Sequence, residues 1–314
     1  MISKPKICTI CNRGKKFKFI IDHKNKYGDF SLFECSLCKT QFWNPFKNPG
    51  NKWYEDANEY LLKDTLKPII YKVYHKKFLK LYKKFSKGTK FLDIGCGTGE
   101  LLAKVRERGA DIWGVDFDNH AINIAKKYFN LKNVFTISID DFFAKNDLPK
   151  FDIITFFEVI EHLEDPSKFI KNVKKLLKPD GFIILSTPNR ERMLTNLSGW
   201  DFPPHHLLRW NKESIANLFK NIDFKIVNIY FIGEFNTLSS AINEKFRANV
   251  IGKTINNAPK NISKNKMEKI MRLLKFFATL KQYIIGGIPA LFLYSYSKLI
   301  GRTNGDMLIK LKKQ

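Results

Sequence analysis

Two rhythms of apolar and polar positions run along this chain, and the change between them divides it. From Lys90 onward, short apolar runs recur near 90–94, 112–116, 134–138, 151–157, 181–186, 224–232 and 306–312. Between them, apolar residues fall at helical spacing near 98–108, 119–129, 166–178 and 212–221. Strands alternating with helices predict an α/β fold with a doubly wound, seven-stranded Rossmann-like sheet. Ahead of it, the pattern from Trp53 to Phe85 is helical and lysine-rich. Its aromatics (Tyr71, Tyr74, Phe78, Tyr82, Phe85) with Leu81 read as a stripe packed on the following domain. Four segments result: 1–50, a connector at 51–87, the sheet domain at 88–235 and 301–314, and a helical, partly apolar insertion at 236–300.

The first segment is organised by cysteine. Cys8-x-x-Cys11 and Cys35-x-x-Cys38 flank a polar stretch with a turn at Lys26-Tyr27-Gly28-Asp29. Two thiolate pairs on tight turns predict a closed, tetrahedral structural Zn²⁺ site, a zinc ribbon with no open position for catalysis. So small a module lacks an adequate core, so metal binding is expected to supply its folding energy.

The densest chemistry lies at Phe91-Leu92-Asp93-Ile94-Gly95-Cys96-Gly97-Thr98-Gly99-Glu100. A strand runs into a turn with glycine at alternate positions, where a backbone must press against a ligand. The helix that follows aims its N-terminal amides at that ligand. Asp116 ends the next apolar run, where a ribose would present its hydroxyls. The glycine spacing is not the G-x-G-x-x-G of dinucleotide sites, which disfavours a nicotinamide dehydrogenase. The carboxylate of Asp93 would repel a pyrophosphate and suits a cofactor carrying an ammonium and a sulfonium.

This run resembles motif I of the class I S-adenosylmethionine-dependent methyltransferases. The resemblance extends to Glu158, Glu161 and His162, to Thr187-Pro188-Asn189 and to Pro203-Pro204-His205-His206-Leu207. With the cysteine pairs, it points to bacterial sugar or small-molecule methyltransferases with an N-terminal zinc ribbon. It implies S-adenosyl-L-methionine as cofactor, held by Asp93, Gly95, Gly97, Gly99 and Asp116. Asp140 or Asp141 would meet the adenine amine, and Glu158 would sit near the methionine moiety and the transferring methyl, which makes it a catalytic candidate as well. It also implies that the last strand is antiparallel and inserted between strands five and six. Glu158-x-x-Glu161-His162 resembles an element of ubiquinone-type O-methyltransferases read as a divalent-cation site; bracing the following helix is the plainer role of Glu161 and His162. In such relatives the ribbon helps shape acceptor binding.

His205 and His206, in a proline-stiffened loop, are candidate general bases because imidazole titrates near neutrality, with His162 next in line. The expected reaction is O-methylation of a sugar, glycan or lipid-linked acceptor, as in polysaccharide biosynthesis. The alternatives are C-methylation of a keto-sugar, RNA methylation, and a catalytically silent zinc-ribbon scaffold. A Glu158-Val-Ile-Glu161 step, in place of the Asp/Asn-Pro-Pro-aromatic step of nitrogen-methylating enzymes, counts against base methylation.

Charge adds one element. The chain carries a net +25, and only 9 of its 55 basic residues are arginine. That lysine bias, without an arginine and aromatic stripe, argues against nucleic acid and leaves a solvated surface or an anionic membrane face. The N-terminus shows no signal peptide, so a cytoplasmic protein is expected, with peripheral contact at the inner membrane face as a second expectation. The uncharged run Gln282–Ser297 has 16 residues, too short to span a bilayer and suited to lying on a surface, closing the active site or forming a dimer seam.

Overall fold

The computed structural model describes residues 5–50, 71–192, 197, 199–233, 288–299 and 305–314. Most of the connector and of the 236–300 insertion lies outside the described residues. The chain forms two compact units. One comprises Met1–Arg190, Leu197–Tyr230 and Asp306–Gln314, the other Glu191–Asn196 and Phe231–Gly305.

In the first unit, β1 (Phe17–Asn25), β2 (Gly28–Cys35) and β3 (Gln41–Asn44) form an antiparallel ribbon. Asn25 pairs with Gly28, so β1 and β2 close over Lys26 and Tyr27, within the expected turn. Helix α1 (Val73–Leu81) follows. The sheet domain then runs β4 (Lys90–Ile94), α2 (Glu100–Glu107), β5 (Asp111–Asp116), α3 (Asn119–Phe129), β6 (Val134–Thr136), α4 (Ile139–Phe143) and β7 (Phe151–Phe157). It continues with α5 (Pro166–Leu176), β8 (Leu177–Pro188), β9 (Leu208–Arg209), α6 (Lys212–Lys220), β10 (Phe224–Ile232) and β11 (Asp306–Lys313).

Seven strands form one sheet in the order β10-β11-β8-β7-β4-β5-β6. The pairs β4–β5, β4–β7, β5–β6 and β7–β8 are parallel. β11 runs antiparallel along β8, Asp306 opposite Pro188, and sits between β8 and β10 as expected. The central strands are apolar on both faces: Phe91, Leu92, Ile94, Ile153, Ile154, Phe156, Ile183 and Leu185 are all buried. A parallel sheet covered by helices on both sides requires this.

Helix starts follow their caps. The Asp118 side chain accepts from the amides of His120 and Ala121 to open α3, and Asp165 accepts from Lys168 ahead of Pro166. Asn211 and Ser214 form a reciprocal capping box at α6. The run expected as a strand to 138 ends at Thr136, because Ser138 accepts from the Asp141 amide and starts α4. On α1 and the turn after it, Phe78, Leu79 and Phe85 are buried, which bears out the packed stripe, although Leu81 faces solvent.

One strand was not legible in the sequence. β9 belongs not to the large sheet but to the ribbon, whose order is β1-β2-β3-β9. Leu208 and Arg209, at the end of the proline-histidine loop, pair with Phe42 and Gln41.

In the second unit, α7 (Ile288–Leu299) is described, with Tyr294 Oη donating to the Gly233 carbonyl at 3.4 Å. Among the described residues, no helix is long and apolar enough to cross a membrane.

Candidate active site

The C-terminal ends of β4, β5 and β7 converge on the glycine turn. Gly95, Gly97 and Gly99 all adopt positive φ (78°, 51° and 79°), which side-chain-bearing residues rarely adopt. Two of them also keep neighbours apart. A Cβ on Gly95 would lie 2.8 Å from Val159 Cγ2, and one on Gly99 2.9 Å from Ala125 Cβ. A Cβ on Gly97 would meet nothing within 4 Å. At Gly97 the missing side chain therefore leaves a cradle of open backbone, as the motif demands of a bound ligand.

Two carboxylates frame this cradle. Asp116 accepts from the Gly97 amide through Oδ2 at 2.8 Å and from the Asp118 amide through Oδ1 at 3.0 Å, which ties β5 to the turn. Each oxygen keeps a further lone pair for a hydroxyl donor. Asp93 is buried in β4 and accepts from Thr155 Oγ1 at 2.6 Å. Burial raises its pKa to about 7, opposed by the Thr155 bond and aided by the Asp116 charge.

Asp140 and Asp141 differ in their surroundings. Asp141 turns back to its own helix cap, accepting from Ser138 Oγ at 2.6 Å. Asp140, 3.3 Å from Lys168 Nζ, lines a cavity of about 360 Å³ with Phe117, Ile139, Phe169, Asn48 and His162.

The end of β7 carries the acidic cluster. Glu158 stands at φ 54°, a strained conformation for a non-glycine residue that re-aims its side chain at the strand end. It accepts from Ser186 Oγ at 2.7 Å. Burial raises its pKa, reinforced by Asp306 of β11 and by Glu161. Glu161 is fully buried, and burial lifts it to about 8. Its Oε2 accepts from Thr187 Oγ1 at 3.1 Å, while Oε1 lacks a hydrogen bond of ordinary geometry. Its carboxyl also faces that of Glu158, and the two share a hydrogen bond that lowers the pKa of Glu161 and raises that of Glu158.

Three histidines lie beside this cluster. His162 Nδ1 lies 2.6 Å from the His205 carbonyl, which can only accept, so that nitrogen carries the proton and Nε2 keeps the lone pair. Burial holds this ring at about 4, hence neutral at pH 7. The rings of His162 and His206 meet edge-on at 4.9 Å. Glu161, His162 and His206 present ligand atoms all within 4.8 Å of one another. The expected cation set was Glu158, Glu161 and His162; the structure groups His206 with the latter two, and Glu158 is bonded to Ser186. His205 instead packs edge-on against Trp200, centroids 4.8 Å apart.

One site-side residue escaped the sequence reading, and a second, Tyr74, was read there only as part of the packed stripe. Asp306 opens β11 but acts on Glu158 and Glu161 through space. Tyr74 of α1 stacks on Phe157 at 5.5 Å, and burial with the Glu158 charge pushes its hydroxyl pKa up. Both are distant in sequence from any motif, so only the fold brings them to the site.

In the ribbon, Cys8, Cys11, Cys35 and Cys38 bring their sulfurs within 4.8 Å of one another, with Cys8–Cys38 at 3.7 Å and Cys11–Cys35 at 3.9 Å. Zn–S bonds of about 2.3 Å in a tetrahedron need sulfurs about 3.8 Å apart, so the four thiols fit that ion.

Comparison with known proteins now bears on this geometry. A family model described as "Methyltransferase domain" matches residues 69–229, just over half of the chain. The chain belongs to this methyltransferase family. Class I membership, read from the glycine turn, is borne out. Among curated relatives, a "Ubiquinone biosynthesis O-methyltransferase" from Haemophilus ducreyi is 31% identical over 153 residues, covering 46% of this chain and 62% of the relative. One of the same name from Coxiella burnetii is 39% identical over 106 residues, covering 33% and 45%. This methyltransferase chain thus spans less than two thirds of the length of these relatives. A solved S-adenosylmethionine-dependent methyltransferase from Archaeoglobus fulgidus superimposes with TM-score 0.46 at 21% identity, covering 76% of this chain and 92% of that one. The plantazolicin methyltransferase in complex with SAH gives 0.44 at 17%, covering 77% and 81%.

Proposed function

We propose that this chain binds S-adenosyl-L-methionine on the glycine turn and O-methylates a hydroxyl of a small acceptor. The open cradle at Gly97, flanked by buried Asp93 and by Asp116, carries this reading. When bound, the cofactor supplies an electrophilic methyl group on a sulfonium. The chain's own groups then have three tasks. Asp93, ionised, complements cationic charge, and Asp116 offers free lone pairs to ribose hydroxyls. The Phe117 and Asp140 side of the adjoining cavity receives the adenine. Aligning nucleophile, methyl and sulfur is the main catalytic demand.

The remaining task is to take the acceptor's proton. His206 is the best-placed base, since its ring adjoins the Glu161 carboxyl and the His162 ring; burial holds His162 at about 4, which makes it a weaker base and suits it to orienting its neighbour. His205 stands on the Trp200 side and is read as an acceptor contact. Glu161, His162 and His206 also form a donor set able to hold a divalent cation, and the closeness of their ligand atoms supports that reading. The ribbon thiols are read as a structural Zn²⁺ site.

For the acceptor, the resemblance to zinc-ribbon methyltransferases favours a sugar, glycan or lipid-linked compound. The names of the relatives favour a second reading, a hydroxylated precursor in ubiquinone biosynthesis. Leu291, Phe292 and Tyr296 of α7 are exposed, which supports peripheral contact with an anionic membrane. Calorimetry with S-adenosylmethionine and, separately, NAD⁺ tests the cofactor. Binding of the first alone is expected; binding of neither would favour a scaffold. Incubation with nucleotide sugars and with ubiquinone precursors, read by methyl incorporation, then separates the two acceptor classes.

A further inference from the structure

The ribbon does not hang from the methyltransferase domain; its sheet is completed by the histidine loop. Strand β9, which ends that loop, hydrogen-bonds to β3, and the Trp43 amide donates to the Leu207 carbonyl at 3.0 Å. Further ties reach the loop from β1 and from side chains of β3. Asn25 Nδ2, at the tip of the β1–β2 hairpin, donates to the Pro203 carbonyl at 2.7 Å. Trp43 Nε1 donates to the Asp201 carbonyl at 2.8 Å, and the His23 ring lies 4.1 Å from that of Phe202. Arg209 donates to Gln41 Oε1 at 2.6 Å and stands 3.6 Å from Asp201, with both charged side chains about 95% buried or more.

From the loop, the contacts pass into the site. The Leu207 amide donates to the Glu161 carbonyl at 3.0 Å, and the His205 carbonyl accepts from His162 Nδ1 at 2.6 Å. That last bond selects the His162 tautomer. A chain of short polar contacts thus links the cysteine-stapled sheet to the imidazole pair, and cutting a buried charge pair leaves a partner unsatisfied.

We propose that the ribbon is the platform that sets the histidine loop, with Asn25 and Arg209 as positioning residues for His162 and His206. The inference rests on the reading of these histidines as chemical groups, but the coupling itself is testable without an acceptor. When the thiol site is emptied or disrupted, the loop at 199–209 loosens together with β1–β3, while β4, β5 and the glycine turn remain ordered.

The test is hydrogen exchange by mass spectrometry on the full chain, with ¹⁵N NMR of the histidine rings. Cys35→Ser and Arg209→Met are each expected to speed exchange at residues 199–209 by about tenfold or more, with residues 90–116 unchanged. His162 is expected to go from a single Nδ1–H tautomer to a mixture, a signature that a role confined to ribbon stability would not produce. Arg209→Lys, which keeps the charge against Asp201, should restore both readouts. Asn25→Ala, at a half-buried position beside the hairpin turn, provides the same test if Arg209→Met fails to fold. Protection at 199–209 that survives loss of the ribbon, or an unchanged His162 tautomer in the variants, overturns the proposal. Failure of the wild type to bind S-adenosylmethionine would remove the proposed function yet leave the exchange coupling to be judged on its own.

Discussion

Asp93 offers the sharpest test of the cofactor site, because burial and function pull its charge in opposite directions. Its pKa rises from 3.8 to about 7 in the folded chain, with burial as the main cause. The sign follows from linkage. A carboxyl raised on folding lends stability that is fully present below the unfolded value and is lost as pH rises through about 7. At pH 8, holding Asp93 ionised therefore costs the apo chain roughly 4 kcal/mol, from about 1.4 kcal/mol per pKa unit. Asp93→Asn removes that cost and keeps the acceptor for Thr155 Oγ1. The apo variant is expected to melt higher at pH 8, by on the order of 10 °C, with the gain shrinking towards pH 5. Cofactor binding should move the other way. If only the ionised form binds the cationic cofactor, wild-type affinity falls about tenfold from pH 8 to pH 6, whereas the weaker binding of Asp93→Asn is flat over that range. Thermal melts and calorimetry across pH 5–8 supply both readings. An Asp93→Asn chain that melts lower at pH 8, or wild-type binding that ignores pH, would refute the placement of a buried carboxylate against cationic charge.

Other expectations come from the same geometry. Gly97→Val should abolish S-adenosylmethionine binding with a stability loss of about 1–2 kcal/mol from its positive φ alone, whereas Gly95→Val also drives a Cβ onto Val159 and should unfold at lower denaturant; equal stability of the two variants would contradict this. His206→Ala should slow turnover by about a hundredfold or more with cofactor affinity intact, whereas His205→Ala should mainly raise the acceptor KM; the reverse pattern would move the base to His205. Metal analysis should find one zinc per chain, and a metal-free chain with a folded ribbon would remove the zinc assignment. Glu161→Gln should relieve charge crowding with Glu158 and Asp306, so apo stability at pH 8 is expected to rise in denaturant titrations and not to fall.

Much of this molecule is written locally. The glycine turn, Asp93, Asp116 and the cysteine pairs are legible because each depends on residues within one strand-turn step, where backbone conformation and spacing follow from the side chains themselves. The order of the large sheet is nearly as legible, since apolar runs alternating with helices admit few arrangements, and the antiparallel β11 follows once the family resemblance is seen. The choice between Asp140 and Asp141 was not readable from composition. In the fold, the Ser138 hydroxyl draws Asp141 into a helix cap and leaves Asp140 at the cavity. Likewise, adjacent His205 and His206 are equivalent in sequence, and the loop turns one to Trp200 and the other to His162. Asp306 and Tyr74 reach the acidic cluster from opposite ends of the domain, and β9 joins a sheet begun more than 160 residues earlier. Such pairings depend on where distant segments meet, which no local pattern encodes. Residue type therefore determined what chemistry this chain carries. Long-range packing decided which of its carboxylates and imidazoles face one another, because pKa, tautomer and free lone pairs are properties of neighbours in space.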